Sequence, residues 1–189
     1  HWVVPLLDYH LVLGRIDGLS RVFGFIFTLI AFIAVIYSMK VKDNVQHVAG
    51  FMYAGGALGV TFAGDLLSLY IFWELMALFS TVVVWCGGTP AARAAGIRYA
   101  IMHLIGGVIL KVGIEGVMVH TGSIEVQPML ATNFDTWMIL IGILINAAAP
   151  PISAWLSDAY PESSPTGSVF LSAFTTKTAV LALILLFPG

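Results

Sequence analysis

Apolar residues fill this chain in blocks of about twenty, parted by short polar or glycine-rich breaks. A helix of that length crosses a hydrocarbon core about 30 Å thick. The first block covers residues 17–39. The second, 47–62, is short and carries Gly50, Gly55, Gly56 and Gly59, which favours close helix packing. Ala63-Gly64-Asp65 turns the chain into the third block, 66–85, which stops at Gly87-Gly88-Thr89-Pro90. The fourth covers 96–119 and closes at Thr121-Gly122-Ser123, before a polar loop over 120–135. The fifth starts at Thr136 and meets Pro150-Pro151, which remove two backbone donors from an apolar segment. Its continuation, 152–160, is too polar to face lipid. A broken helix is expected there, because irregular backbone at membrane depth survives only inside protein or along a cavity. The sixth block, 166–187, follows Pro165, with Ser163 or Ser164 as its cap. The expected fold is all-α: a polytopic transmembrane helical bundle of six spans, the fifth broken at Pro150-Pro151.

Composition agrees with the pattern. The chain is 59% hydrophobic and 10% charged, with a mean hydropathy of +0.97, whereas soluble domains average about 25% charged residues. The net charge of -2 comes with no basic patch, which argues against nucleic acid as a partner. Cys86 is the only cysteine, so disulfides within the chain and cysteine-rich metal sites are excluded. No signal-peptide pattern is present. A chain that opens on His1 and stops at Phe187-Pro188-Gly189 reads as a fragment of a longer protein, with residues 1–189 as one transmembrane domain. Lys40 and Lys42, and Arg93 and Arg98, flank spans on one side, which the positive-inside rule assigns to the cytoplasm. The loop at 120–135 has no Lys or Arg and is expected outside; Arg15 and Arg21 at the other end of span one pull the opposite way.

Ionisable residues inside such blocks are costly and often mark an ion or proton path. Glu74, Lys111, Glu115 and Lys177 qualify. Counted from the external ends, Glu74, Lys111, Asn146 and Lys177 share a depth of roughly 12–15 Å, near the bilayer midplane. Each has two readings. Glu74 is either a protonated carboxyl bonded to a neighbouring helix or a proton-binding group tuned by burial and a nearby ammonium. Lys177 either snorkels to an interface or sits in the polar layer. Lys111 and Glu115 either neutralise each other at i,i+4, or Lys111 reaches Glu74. His103 either relays protons or bonds a backbone carbonyl, while His47 and His120 belong to span ends. No His-Glu spacing suggests a metal site, no Ser/His/Asp set a nucleophile, and no glycine-rich run follows a strand as a phosphate loop would.

Several motifs carry a family resemblance. Phe72-Trp73-Glu74-Leu75-Met76, preceded by Asp65-Leu66-Leu67, resembles a segment of the antiporter-like membrane subunits, which include the proton-pumping subunits of respiratory complex I and the A-type and D-type subunits of Mrp-type cation/proton antiporters. Pro151-Ile152-Ser153-Ala154-Trp155-Leu156-Ser157-Asp158-Ala159 is similar to the family's broken-helix motif, and Pro165-Thr166-Gly167-Ser168-Val169 with Lys177-Thr178-Ala179 to its next helix. Asp17-Gly18-Leu19-Ser20 resembles the start of the third family helix.

The resemblance implies a fragment spanning the third to eighth helices of a roughly fourteen-helix subunit, with the first of two inverted five-helix repeats. It implies that Glu74 is the translocating carboxylate, that Lys177 is the connecting lysine, and that Asp65 and the segment from Trp155 to Asp158 are structural. Three positions depart from the family pattern. Asn146 stands where the family has a lysine, Ser153 where it has histidine and Ser157 where it has proline. With Asp158-Ala159-Tyr160-Pro161-Glu162, these departures look like a divergent Mrp subunit of the D type.

The expected function is therefore that of a proton/cation-translocating subunit of a multi-subunit sodium/proton antiporter. The alternatives are a membrane-arm subunit of a complex I-like NADH-quinone oxidoreductase or related hydrogenase, and a non-translocating structural subunit, which the loss of the lysine at Asn146 favours. The residues expected to serve translocation are Glu74, Lys177, Lys111, Asn146, Glu115 and His103. No cofactor or metal of its own is expected. Partners are other membrane subunits, the lipid bilayer, protons and sodium, and the expected location is the bacterial plasma (inner) membrane.

Overall fold

The computed structural model describes residues 2–6 and 9–188. The end residues behind the fragment reading, His1 and Gly189, lie outside it. Among the described residues, eight helices follow a short hairpin. The hairpin pairs β1 (Trp2–Leu6) with β2 (Tyr9–Gly14), antiparallel, with an irregularity between Trp2 and Val3. It is an addition to the expected all-α fold. The expected spans map onto α1 (Gly18–Ser38), α2 (Asn44–Phe62), α3 (Leu66–Trp85), α4 (Pro90–Thr121), the pair α5 (Phe134–Asn146) and α6 (Ala154–Glu162), and the pair α7 (Pro165–Ala173) and α8 (Thr175–Leu186).

Side-chain caps set these boundaries. Asp17 and Ser20 form a capping box at α1, and Asp43 caps α2 through the Val45 amide. Thr89 caps α4 with Pro90 in the first turn, so α4 starts six residues before the expected Gly96. Gly122, with φ of 68°, ends it in the left-handed conformation that glycine adopts without strain. Asn133 and Thr136 box the start of α5, and Ser164 caps α7 through the Gly167 amide.

Among the described residues, four segments are long and apolar enough to cross a membrane: Gly18–Ser38, Leu66–Trp85, Pro90–Thr121 and Pro165–Leu186. Of the six expected spans, α2 is not among these, and α5 is a shorter apolar helix. The reason for α5 is the break. It ends at Asn146, four residues before the first proline; Ala148 takes a positive φ of 56°, and Pro150-Pro151 is cis. The interruption is therefore as expected but begins earlier. The sixth span also breaks, at Phe174, where no proline or glycine foretold it. The Tyr53 hydroxyl accepts from the Thr175 amide at 3.0 Å and pairs with the Thr175 hydroxyl at 2.5 Å, filling that break from α2.

Apolar side chains cover the outside. Val22, Phe25, Leu29, Phe32 and Ile36 line an exposed stripe of α1, and Ile97, Ile101, Leu104, Val108 and Val112 one of α4. Small residues let helices meet inside. A Cβ at Gly56 would lie 2.9 Å from the Met76 backbone nitrogen, and one at Gly142 would lie 2.8 Å from that of Leu110, so α2–α3 and α4–α5 meet backbone to backbone at these glycines. Asp65 ties the hairpin to the bundle. Its carboxylate accepts from the Val12 amide (2.6 Å), the Ser68 amide (2.7 Å) and the Ser68 hydroxyl (2.6 Å).

Candidate functional site

Glu74 lies midway along α3, half-buried, on the side that meets α4. A Cβ at Gly107 would collide with its Oε1, so the glycine is what admits the carboxyl to the helix interface. That oxygen is buried and has no hydrogen-bond partner among the described residues. Glu74 and His103 line one groove of about 330 Å³, with Ala77, Thr81, Ala100 and Leu104 between and around them.

His103 sits one helical turn before Gly107 on α4 and is 2% exposed. Its ring is flanked by Tyr99, with centroids 4.1 Å apart, and by Trp155 of α6, 4.8 Å away. Both walls are fixed. The Tyr99 hydroxyl donates to Ser80 at 2.9 Å, and the Trp155 indole donates to the Ile145 carbonyl at 3.0 Å. The second bond uses a carbonyl near the end of α5, so the broken helix is what brings Trp155 to the site. Asn146, the last residue of α5, lies beside the imidazole without reaching hydrogen-bond geometry. Among the described residues, both ring nitrogens and both ends of the Asn146 amide are buried and unpartnered, as is the Thr178 hydroxyl on α8.

Lys111 and Glu115 are placed elsewhere. They form an i,i+4 ion pair at 3.1 Å with side chains 53% and 56% exposed. Eight residues along a helix of 3.6 per turn rotate by about 80°, which turns Lys111 away from the face that carries His103. Lys111 is thus paired on its own helix, and no cation lies within ion-pair distance of Glu74 among the described residues. Lys177 is exposed on α8, and its ammonium donates to the Ser172 carbonyl that the break at Phe174 sets free. Of the six expected residues, the fold gathers Glu74, His103 and Asn146 and leaves Lys111, Glu115 and Lys177 on outer faces. The Tyr99–Trp155 walls around His103 were not anticipated. Trp155 was visible only as a motif residue, and nothing in the spacing pointed it at His103. Among the described residues, no cluster of three or more His, Cys, Asp or Glu is placed to hold a metal.

Midway along α6, Asp158 is gripped by Arg98 of α4 through two bonds of 2.7 Å, from Nε to Oδ2 and from Nη2 to Oδ1. These bonds hold the Asp158 carboxyl below the usual carboxylate range; the slight burial that opposes them is outweighed, and the guanidinium charge adds to them.

The transmembrane family described as NADH:quinone oxidoreductase/Mrp antiporter matches residues 63–188, two thirds of the chain. The chain belongs to this family. It is 26% identical to the A-type subunit of the Na(+)/H(+) antiporter of Alkalihalophilus pseudofirmus, over 92% of this chain and 24% of that protein. Its fold is similar to a chain of the Mrp complex from Dietzia sp. DQ12-45-1b, with a TM-score of 0.78, 21% identity, and coverage of 93% of this chain and 36% of that one. It is also similar to a chain of respiratory complex I from Thermus thermophilus, with a TM-score of 0.81, 19% identity, and coverage of 97% and 42%. The chain thus spans about a quarter of the length of that antiporter protein and less than half of either solved chain. It is a multi-pass membrane protein of the antiporter-like class.

Proposed function

We propose that this chain is part of a proton- or cation-translocating membrane subunit of a multi-subunit Mrp-type cation/proton antiporter, seated in a bacterial plasma membrane. On this reading residues 1–189 are the first antiporter-like repeat with one preceding helix. They would cross the membrane six times when α2 and the broken α5–α6 pair are counted as spans. The observation that carries the reading is Glu74: a carboxyl on a membrane helix, its Oε1 buried and unpartnered, opening on a groove it shares with a histidine. Such a group binds and releases a proton without leaving the protein interior. Lys177, exposed on α8, would pass charge to protein packed against that face. Ser153, Ser157 and the stretch from Asp158 to Glu162 support a D-type place in the complex.

A second reading is a membrane-arm subunit of a redox-driven NADH-quinone oxidoreductase, favoured by the family's own description, which joins NADH:quinone oxidoreductase to the Mrp antiporter. One assay on the full-length complex in inverted vesicles separates them. Sodium addition should collapse a preformed pH gradient if the antiporter reading holds. Quinone-dependent NADH oxidation that builds the gradient, with no sodium response, would favour the second. Loss of the response in Glu74→Gln, with assembly intact, is required by both.

A further inference from the structure

The His103 ring is the most enclosed titratable group in the groove that Glu74 opens on, and neither of its nitrogens has a partner among the described residues. We propose that His103 carries a proton in this site, exchanging it with Glu74, and that the Asn146 amide positions the ring in both of its protonation states. The inference rests on the reading of Glu74 given above.

Four observations converge. An unsatisfied buried polar atom costs about 1–3 kcal/mol, so native structures rarely keep several together without a use for them. Here four such atoms belong to two adjacent side chains, His103 and Asn146. Second, the walls suit both forms of the ring. Tyr99 lies tilted against the imidazole and Trp155 stands near-perpendicular to it, an aromatic surround that packs on a neutral ring and tolerates a cation close to its π systems. Each is pinned by a hydrogen bond of its own, so the ring is boxed rather than loosely packed.

Third, an amide serves both states. Its carbonyl accepts from an imidazolium N–H, and after a half-turn its NH2 donates to a bare ring nitrogen. A permanently charged side chain at 146 would favour one state only. Fourth, Gly107, which touches the Glu74 carboxyl, follows His103 by four residues on the same helix. The offset is about 6 Å along the axis, so carboxyl and imidazole lie about one helical turn apart on one groove, where bridging water can carry the proton.

The transfer balances. The O–H bond of the Glu74 carboxyl breaks and an N–H bond forms on His103, through a water that gives up one proton as it gains another. The products are a carboxylate and an imidazolium, with no change in total charge. The titratable groups that face the ring are Glu74 from α3 and Tyr99 from α4. The elements α5 and α6 present Asn146 and Trp155, which do not titrate.

The test uses the full-length protein in its assembled complex. Two readouts are taken over about pH 5–9, the range in which an imidazole titrates: cation-driven proton exchange in vesicles, and ring-nitrogen NMR of histidine-labelled complex, with His103 assigned by difference from His103→Gln. His103→Gln should lower exchange at least tenfold with assembly intact. The His103 nitrogens should pass between singly and doubly protonated forms within the range where exchange changes. Asn146→Asp should hold the ring doubly protonated and slow exchange, and Asn146→Gln should restore part of the rate.

His103→Gln with wild-type rate and pH profile, alongside an inactive Glu74→Gln, overturns this inference and leaves the reading of Glu74 standing. If Glu74→Gln is active, that reading falls, and the wild-type NMR titration decides for His103 alone. A ring that stays singly protonated throughout overturns the inference; if His103→Gln does not assemble, His103→Asn supplies the difference spectrum and the same titration decides.

Discussion

The carboxyl of Glu74 on α3 occupies the space that a Cβ on Gly107 of α4 would need. A membrane carboxyl needs protein on at least one side, and here a missing side chain on the neighbouring helix makes the room. Gly107→Ala should therefore act on Glu74 rather than on the fold at large. One added methyl in a packed interface typically costs about 1–3 kcal/mol, which a bundle of this size tolerates. The displaced carboxyl should lower transport about tenfold while the complex still assembles, as native gels and vesicle pH-gradient assays would show. Unchanged transport would mean that Glu74 has room to move elsewhere.

Lys111 and Glu115 lead to the opposite expectation. Their mutual 3.1 Å bond on an outward face neutralises both. Lys111→Met alone leaves a carboxylate unpaired on an apolar surface and should reduce the yield of assembled complex. The double variant Lys111→Met, Glu115→Met removes both charges and should restore it, because removing a pair costs less than stranding one member. Transport per assembled complex should change less than twofold in the double variant. A large loss there would give the pair a place in translocation.

Helix positions were legible to the extent that caps and breakers are local. Asp65 and the Gly87-Gly88 stop bound α3 at Leu66–Trp85, as expected from the sequence alone. The break after Asn146 was legible because prolines lack a donor. The break at Phe174 was not, since it is held by Tyr53 from a distant helix. The hairpin was missed because its strands are short, Pro5 interrupts the first, and its tie to the bundle through Asp65 is non-local. Within the site, Glu74 stood out by chemistry alone. The approach of Asn146 and Trp155 to His103 did not, because it depends on the rotational phase of α4 against α5 and α6. The same phase decides against a Lys111–Glu74 pair.

Arg98 and Asp158 link α4 to the half-helix beyond the break, and their bond carries a pH signature. The Asp158 carboxyl is held low chiefly by its hydrogen bonds to Arg98. A depressed carboxyl contributes stability that is full above its unfolded value, near 4, and is lost as pH falls through the lower folded value. Asp158→Asn should therefore melt at lower temperature than wild type at neutral pH. The difference should shrink as pH drops below about 4. High salt should also narrow it, since both side chains are solvent-accessible. A gap that is constant with pH would mean that the residue acts through shape and not charge.

Asp65 makes the most concentrated set of polar contacts at the other end of the bundle. It is 1% exposed and serves three donors: the Ser68 amide as the cap of α3, the Ser68 hydroxyl, and the Val12 amide of the hairpin. Around it the chain closes further, with the Gly64 amide on the Val12 carbonyl at 2.8 Å and the Leu66 amide on the Ile124 carbonyl at 2.7 Å. Losing a cap costs about 1 kcal/mol, and each buried donor left unpaired adds about 1–3 kcal/mol. Asp65→Ala should thus destabilise the bundle by about 3 kcal/mol. Asp65→Asn keeps one acceptor oxygen, and with it either the cap or the hairpin tie, so its cost should be about half. Thermal unfolding in detergent gives the order wild type, Asn, Ala. Hydrogen exchange at Val12 and Ser68 tells the two contacts apart, since an Asn that keeps the cap frees only the Val12 amide. Equal protection of both amides in Asp65→Ala and wild type would mean that the hairpin is held by its backbone bonds alone.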